Sequence, residues 1–138
     1  MAMKDTYSYT GPRLAAFKAF NAAAGTTAFA GTAVDTLGFN SVLFAVAANY
    51  SATDTATYTL SVQDSDDNST FTAVDDDKFI IGPSAPLSGA ANVQKIGYIG
   101  ARRYVKLVVT PSAAATSTNV ITVSALAILQ SPEIMPTA

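Results

Sequence analysis

The 138 residues contain no cysteine, no histidine and no tryptophan. Without cysteine there is neither a disulfide nor a thiolate metal site, and the redox compartment leaves no mark on the sequence. Without histidine the usual general base and the commonest metal ligand at neutral pH are missing. Nucleophilic catalysis would then need Ser or Thr activated by Lys or a carboxylate. Charge is also scarce, at 13% of residues and a net −2, and the 8 Lys and Arg are spread thinly. That pattern lacks the basic footprint that releases counterions from nucleic acid. The longest apolar stretch, Val42 to Ala48, falls far short of the roughly 18 residues that cross a bilayer. Met1 to Thr10 lacks the apolar run of a signal peptide. The expectation is a chain that is not an enzyme, with no cofactor, no metal centre, no nucleic-acid partner and no membrane partner.

Hydrophobic residues make up 49% of the chain, enough for one self-sufficient core at a length typical of a single domain. With so little charge, much of the surface falls to Ala, Thr and Ser, as in a protein partly covered by partners. Three zones are expected: an N-terminal arm over residues 1–36, a β-sandwich domain over 37–130 and a C-terminal tail over 131–138. Within the arm, Leu14 to Ala24 reads either as a short helix by its Ala content or as a strand carrying Ala15, Phe17 and Ala19 on one face.

From Leu37 onward, short β-branched and aromatic runs alternate with turn residues. Ser41 to Asn49 is continuously apolar, as expected of a strand covered on both faces or lying in a sandwich core. Ala56 to Gln63 alternates with period two, leaving one wet face. Asp64 to Ser69 reads as a hairpin turn into a short strand at Thr70 to Val74. A minor strand at Lys78 to Ile81 and strands at Val93 to Tyr98, Arg103 to Thr110 and Val120 to Leu129 complete the set. Pro111 stops one of them. About seven short strands without a long amphipathic helix predict an all-β, antiparallel β-sandwich or jelly-roll-like fold.

The acids cluster locally, at Asp64, Asp66, Asp67 and at Asp75, Asp76, Asp77. They do not come from separate elements facing one cleft, as paired-carboxylate chemistry needs. Asp64, Asp66 and Asn68 stand at alternate positions like the opening of an EF-hand loop, with Asp75 near its closing position. Ser69 replaces the turn glycine and strands flank the loop, so a solvated hairpin turn is favoured over a calcium site. Arg102 and Arg103, beside Tyr104, read as an interface ion pair or edge charge, with an anion or glycan contact as the alternative. Tyr7 and Tyr9, aromatics on a nearly uncharged arm, suit docking onto a neighbouring subunit. Tyr7, Tyr9, Arg102 and Arg103 are therefore the candidate partner-binding residues.

Three phrases carry a family resemblance: D-T-L-G-F-N-S-V-L-F-A-V from Asp35 to Val46, V-Q-D-S-D-D-N-S-T-F-T-A-V from Val62 to Val74, and V-Q-K-I-G-Y-I-G-A-R-R-Y-V-K-L-V-V-T from Val93 to Thr110. Between Thr36 and Leu129 their succession resembles small virion proteins of tailed bacteriophages encoded near the major capsid gene. In these the middle phrase is a turn followed by an aromatic strand, often with Trp where this chain has Phe71. The resemblance implies a β-sandwich capsid decoration or cement protein on the virion surface, made in the host bacterial cytoplasm. Its implied partners are the major capsid protein and copies of itself as a homo-oligomer, a trimer being one such form. It carries over no catalytic residues. The competing readings are a neck, tail or head-fibre component, and a glycan-binding adhesion module. With no Trp, the last would have to stack sugars on Tyr50, Tyr58, Tyr98 or Tyr104.

Overall fold

The computed structural model describes residues 11–21, 27–50, 56–74, 76–81, 87, 91–112 and 120–132. Period-two alternation decides the architecture. On strand β4 (Phe39–Tyr50), Val42, Phe44, Val46 and Ala48 are buried. On β10 (Val120–Pro132), Ile121, Val123, Ala125, Ala127 and Leu129 are buried. On β5 (Tyr58–Ser65) and β9 (Tyr104–Pro111) the buried residues include Tyr58, Leu60 and Val62, and Val105, Leu107 and Val109. Each sheet thus offers one apolar face to the other, and the two faces close on a single core.

The first sheet runs in the order β1 (Gly11–Asn21), β10, β4, β8 (Ala91–Tyr98), β7 (Ile80–Ile81). The second runs β2 (Phe29–Ala30), β9, β5, β6 (Thr72–Ala73), with β3 (Val34–Asp35) also on β9. The pairings are antiparallel. The chain is an all-β, antiparallel two-sheet sandwich, as the spacing of its strands predicts.

Two expectations change. The arm expected over residues 1–36 does not stand apart from the sandwich where it is described. Gly11–Asn21 is the edge strand of the first sheet, paired with β10 and shifted by one residue between Leu14 and Ala16. Phe29 and Ala30 pair with Val109 and Val108, and Val34 and Asp35 with Val105 and Tyr104. Ala content favours a helix locally, but the long-range ladder with β10 pairs one edge of the segment along its length and wins. The second change concerns Lys78 to Ile81. Asp76–Phe79 forms one helical turn, here α1, and only Ile80–Ile81 is strand.

Leu107 is 1% exposed and inside the core. Leu107→Ala is expected to cost about 2–5 kcal/mol in urea denaturation, whereas Val93→Ala, on an exposed position, should stay within about 0.5 kcal/mol.

Candidate interaction surfaces

One end of the sandwich is closed by polar groups from both sheets. Tyr98, at the end of β8, is 1% exposed, and its hydroxyl donates to Asp64 Oδ2 on β5 at 2.9 Å. The same hydroxyl accepts the Arg102 backbone N–H at 3.3 Å. Gly100 makes room for it, since a Cβ there would overlap the Tyr98 ring and hydroxyl. Burial pushes the Tyr98 hydroxyl well above the usual tyrosine range, and donation to the Asp64 carboxylate adds to the shift. Asp64 Oδ1 faces Arg102 Nη1 at 3.3 Å and accepts from Thr72 Oγ1 at 3.3 Å. Arg102 Nη1 also donates to Thr72 Oγ1 at 2.9 Å, and its Nε stands 3.6 Å from Asp66 Oδ2.

Arg103 is engaged differently. Its guanidinium grips Asp35 with two bonds, Nε to Oδ1 at 2.9 Å and Nη2 to Oδ2 at 2.7 Å. That fork holds the Asp35 carboxyl below its usual value, helped by the Leu37 N–H. Arg103 also lies over the Tyr104 ring at 5.0 Å. Its backbone carbonyl accepts both the N–H and the hydroxyl of Thr36. The two arginines read as partner-binding candidates are thus tied within the chain, each at a junction of elements. A small polar cleft of about 210 Å³ lies between residues 36–40 and 100–103. Tyr7 and Tyr9, the other two candidates, lie outside the described residues.

The acidic turn is organised by Asp67. Its Oδ1 accepts the backbone N–H groups of Thr70 and Ser69 at 2.8 and 2.9 Å and the Ser65 hydroxyl at 2.8 Å. These donors lower its pKa to about 2, the Thr70 N–H contributing most. Asn68 takes the left-handed conformation, φ 57°, that asparagine tolerates in turns. Of the residues considered for calcium, Asp64 is directed inward to Tyr98 and Arg102, and Asp75 lies outside the described residues. Among the described residues no cluster of three metal-ligating side chains forms.

The two outer faces differ in chemistry. On the second sheet the outward rows pair Thr59 with Thr110, Ser61 with Val108 and Gln63 with Lys106, while Ser65, opposite Tyr104, is buried. Lys106 lies over the Phe71 ring at 3.9 Å. On the first sheet they are mostly apolar. One row joins Ile128, Leu43, Gly97 and Ile81; the next joins Leu126, Ala45 and Lys95; the third joins Ser124, Ala47 and Val93. Val93 is 83% exposed, and Ile81, Leu126 and Ile99 are exposed too. Gly97 contributes no side chain, and Ile81 leans over it so closely that a Cβ would stand 3.3 Å from Ile81 Cβ. The gap between Leu43 and Ile81 is an open groove of about 290 Å³, with Lys95 and Ile99 on its sides and Gln130 at its rim.

The sequence reading left this surface open, because a continuously apolar Ser41 to Asn49 fits a strand covered on both faces as well as one lying in a sandwich core. The signal was present in the glycine at the outward position between Lys95 and Ile99. Of the tyrosines weighed as sugar platforms, Tyr58 and Tyr98 are buried, and Tyr104 is half-buried under Arg103.

No protein-family model and no curated protein sequence matches the chain. Among solved structures, the PBSX exported protein XepA is similar over 93% of this chain and 39% of its own, with 14% identity and a TM-score of 0.52. Dimeric latent PorU from Porphyromonas gingivalis is similar over 90% of this chain and 13% of its own, at 7% identity and a TM-score of 0.48. The CBM22-1-GH10 modules of the Clostridium thermocellum endo-1,4-β-D-xylanase 10B are similar over 95% of this chain and 30% of theirs, at 14% identity and a TM-score of 0.43. The chain spans well under two thirds of the length of each. The likeness to XepA is one of fold, and the other two add nothing to it.

Tyr98→Phe removes the hydroxyl that bridges the sheets and is expected to cost about 1–3 kcal/mol in chemical denaturation, since a charged acceptor loses a buried donor. The Asp67 turn has its own pH signature. Because its folded pKa is lowered to about 2, its contribution is present above the ordinary aspartate value near 4 and is lost as pH falls through about 2. Amide protection at Ser69 and Thr70, taken relative to the intrinsic exchange rate at each pH, should fall in that window, and Asp67→Asn should remove this change.

Proposed function

We propose that the chain is a non-enzymatic structural protein of a tailed-phage virion, acting as a capsid decoration or cement protein that bridges subunits of the head. The observation that carries this reading is the contrast between the two outer faces of the sandwich. A free monomer has little reason to present rows such as Ile128–Leu43–Gly97–Ile81 to water, whereas a subunit of an assembly buries such a face on its neighbours. The fold shared with the PBSX exported protein XepA supports a phage connection. The phrases from Asp35 to Val46, Val62 to Val74 and Val93 to Thr110 point the same way.

The physics suits the role. A cement protein bridges subunits of a shell under internal pressure, so a stiff sandwich with several contact surfaces serves it better than a flexible linker. The major capsid protein and further copies of this chain are the proposed partners, and the capsid surface the proposed location. Tyr7 and Tyr9 are proposed to contribute to attachment. Neck, tail or head-fibre placement is the second reading, and the same apolar face would serve it. A glycan-binding module has less support, because two of the four tyrosines it would use are in the core.

Copy number separates the readings. Quantifying this chain against the major capsid protein in purified particles should give hundreds of copies per particle for decoration. A dozen or fewer would place it in the neck, tail or fibre, and none would remove it from the virion.

A further inference from the structure

The groove on the first sheet has features that select an occupant. Its floor is apolar around Leu43 and Gly97, Ile81 and Ile99 wall it, and Lys95 stands on one side. Lys95 is exposed and forms no ion pair among the described residues. The matching ligand is therefore extended and slim, with apolar groups for the gap and one carboxylate for Lys95.

The chain carries such a segment. Residues 1–10 precede β1, and alternate positions within them hold Asp5, Tyr7 and Tyr9, with Thr6, Ser8 and Thr10 between. In an extended conformation the first three fall on one side, about 7 Å apart. That side offers one carboxylate followed by two aromatic rings, and the other side is polar. We propose that this N-terminal segment of a neighbouring copy docks in the groove, with Tyr7 and Tyr9 over Gly97 and against Ile81 and Ile99, and the Asp5 carboxylate on Lys95. The inference rests on the reading of the N-terminal segment as an attachment arm, and it names the surface that receives it.

Reach decides between neighbour and self. Gly11 is in register with Leu129, Val42 and Tyr98, so the segment leaves the sheet in the row that borders the groove. Three strand spacings, about 14 Å, separate Gly11 from that side of the sheet. Tyr9 is two residues from Gly11 and extends at most about 7 Å, and Tyr7 about 14 Å. A chain's own arm can carry Tyr7 across to β8, but with Tyr9 held within about 7 Å of Gly11 it cannot lay both residues along β8 as the docked alignment requires. An arm from a neighbouring copy has no such limit, and repeated arm exchange links copies into a ring or a lattice.

The absence of native cysteine makes the test clean. Full-length Tyr7→Cys and Ile99→Cys variants, mixed and mildly oxidised, should form an inter-chain disulfide in high yield, with little when Thr110→Cys on the opposite outer face replaces Ile99→Cys. If the double variant Tyr7→Cys with Ile99→Cys closed only within one chain, the neighbouring-copy proposal would be overturned. Lys95→Glu, at an exposed position that leaves the core intact, should weaken self-association in sedimentation about fivefold or more, and adding Asp5→Lys should restore it. Unchanged sedimentation in both variants would overturn the proposal. The virion reading is tested separately. Particle attachment lost with Tyr7→Ala and Tyr9→Ala but kept with Lys95→Glu would remove the groove as the receptor while leaving the virion reading intact. A chain missing from particles yet cross-linking as described would do the reverse.

Discussion

The hydrogen bond from the Tyr98 hydroxyl to Asp64 fixes how the two sheets meet. Tyr98 belongs to the first sheet and Asp64 to the second, so the 2.9 Å contact sets the position of one against the other at that end of the core. Apolar packing alone is non-directional and tolerates sliding. A buried carboxylate that must keep its donors does not. Around this bond the remaining features fall into place. Arg102 approaches Asp64 and Thr72 because its own N–H is held on the Tyr98 oxygen. Arg103, the next residue, is thereby presented to Asp35, which secures the chain between β3 and β4.

The same strand end shapes the outer surface. Tyr98 points into the core, so its neighbours Gly97 and Ile99 are presented outward on the first sheet. One leaves a gap and the other forms its wall. The inward bond and the outward groove are thus two consequences of one strand's alternation. A substitution at Tyr98 would disturb both stability and surface, whereas one at Lys95 would reach only the surface.

Much of the sandwich was legible in the sequence because strands with one wet face carry their own signature. Tyr58, Leu60 and Val62 against Thr59, Ser61 and Gln63 could be read directly, and so could Val105, Leu107 and Val109. The edge strand Gly11–Asn21 could not. Its residues are locally ambiguous, and its partner lies more than a hundred residues away at β10, so only the tertiary ladder decides it. Asp64 was misread for a related reason. In a run of acids it resembles a turn or a metal ligand, but the β5 ladder continues through Ser65 opposite Tyr104 and carries the Asp64 side chain inward. Arg102 and Arg103 were read as an interface ion pair or edge charge, and their acidic partners within the chain were not identifiable from sequence distance. The apolar run at β4 was seen, and of its two readings the structure shows the strand in a sandwich core. A run without polar residues does not say whether its second face is covered by the same chain or by another.

The proposed role turns on that distinction, since it requires the outer face of the first sheet to be covered by partners in an assembly. Hydroxyl-radical footprinting of the isolated chain and of intact particles compares it directly. Ile81, Val93, Ile99 and Leu126 are expected to be readily oxidised in the isolated chain and strongly protected in particles, while Lys106 and Tyr104 on the opposite face change less. Equal oxidation of the four residues in both states would contradict it.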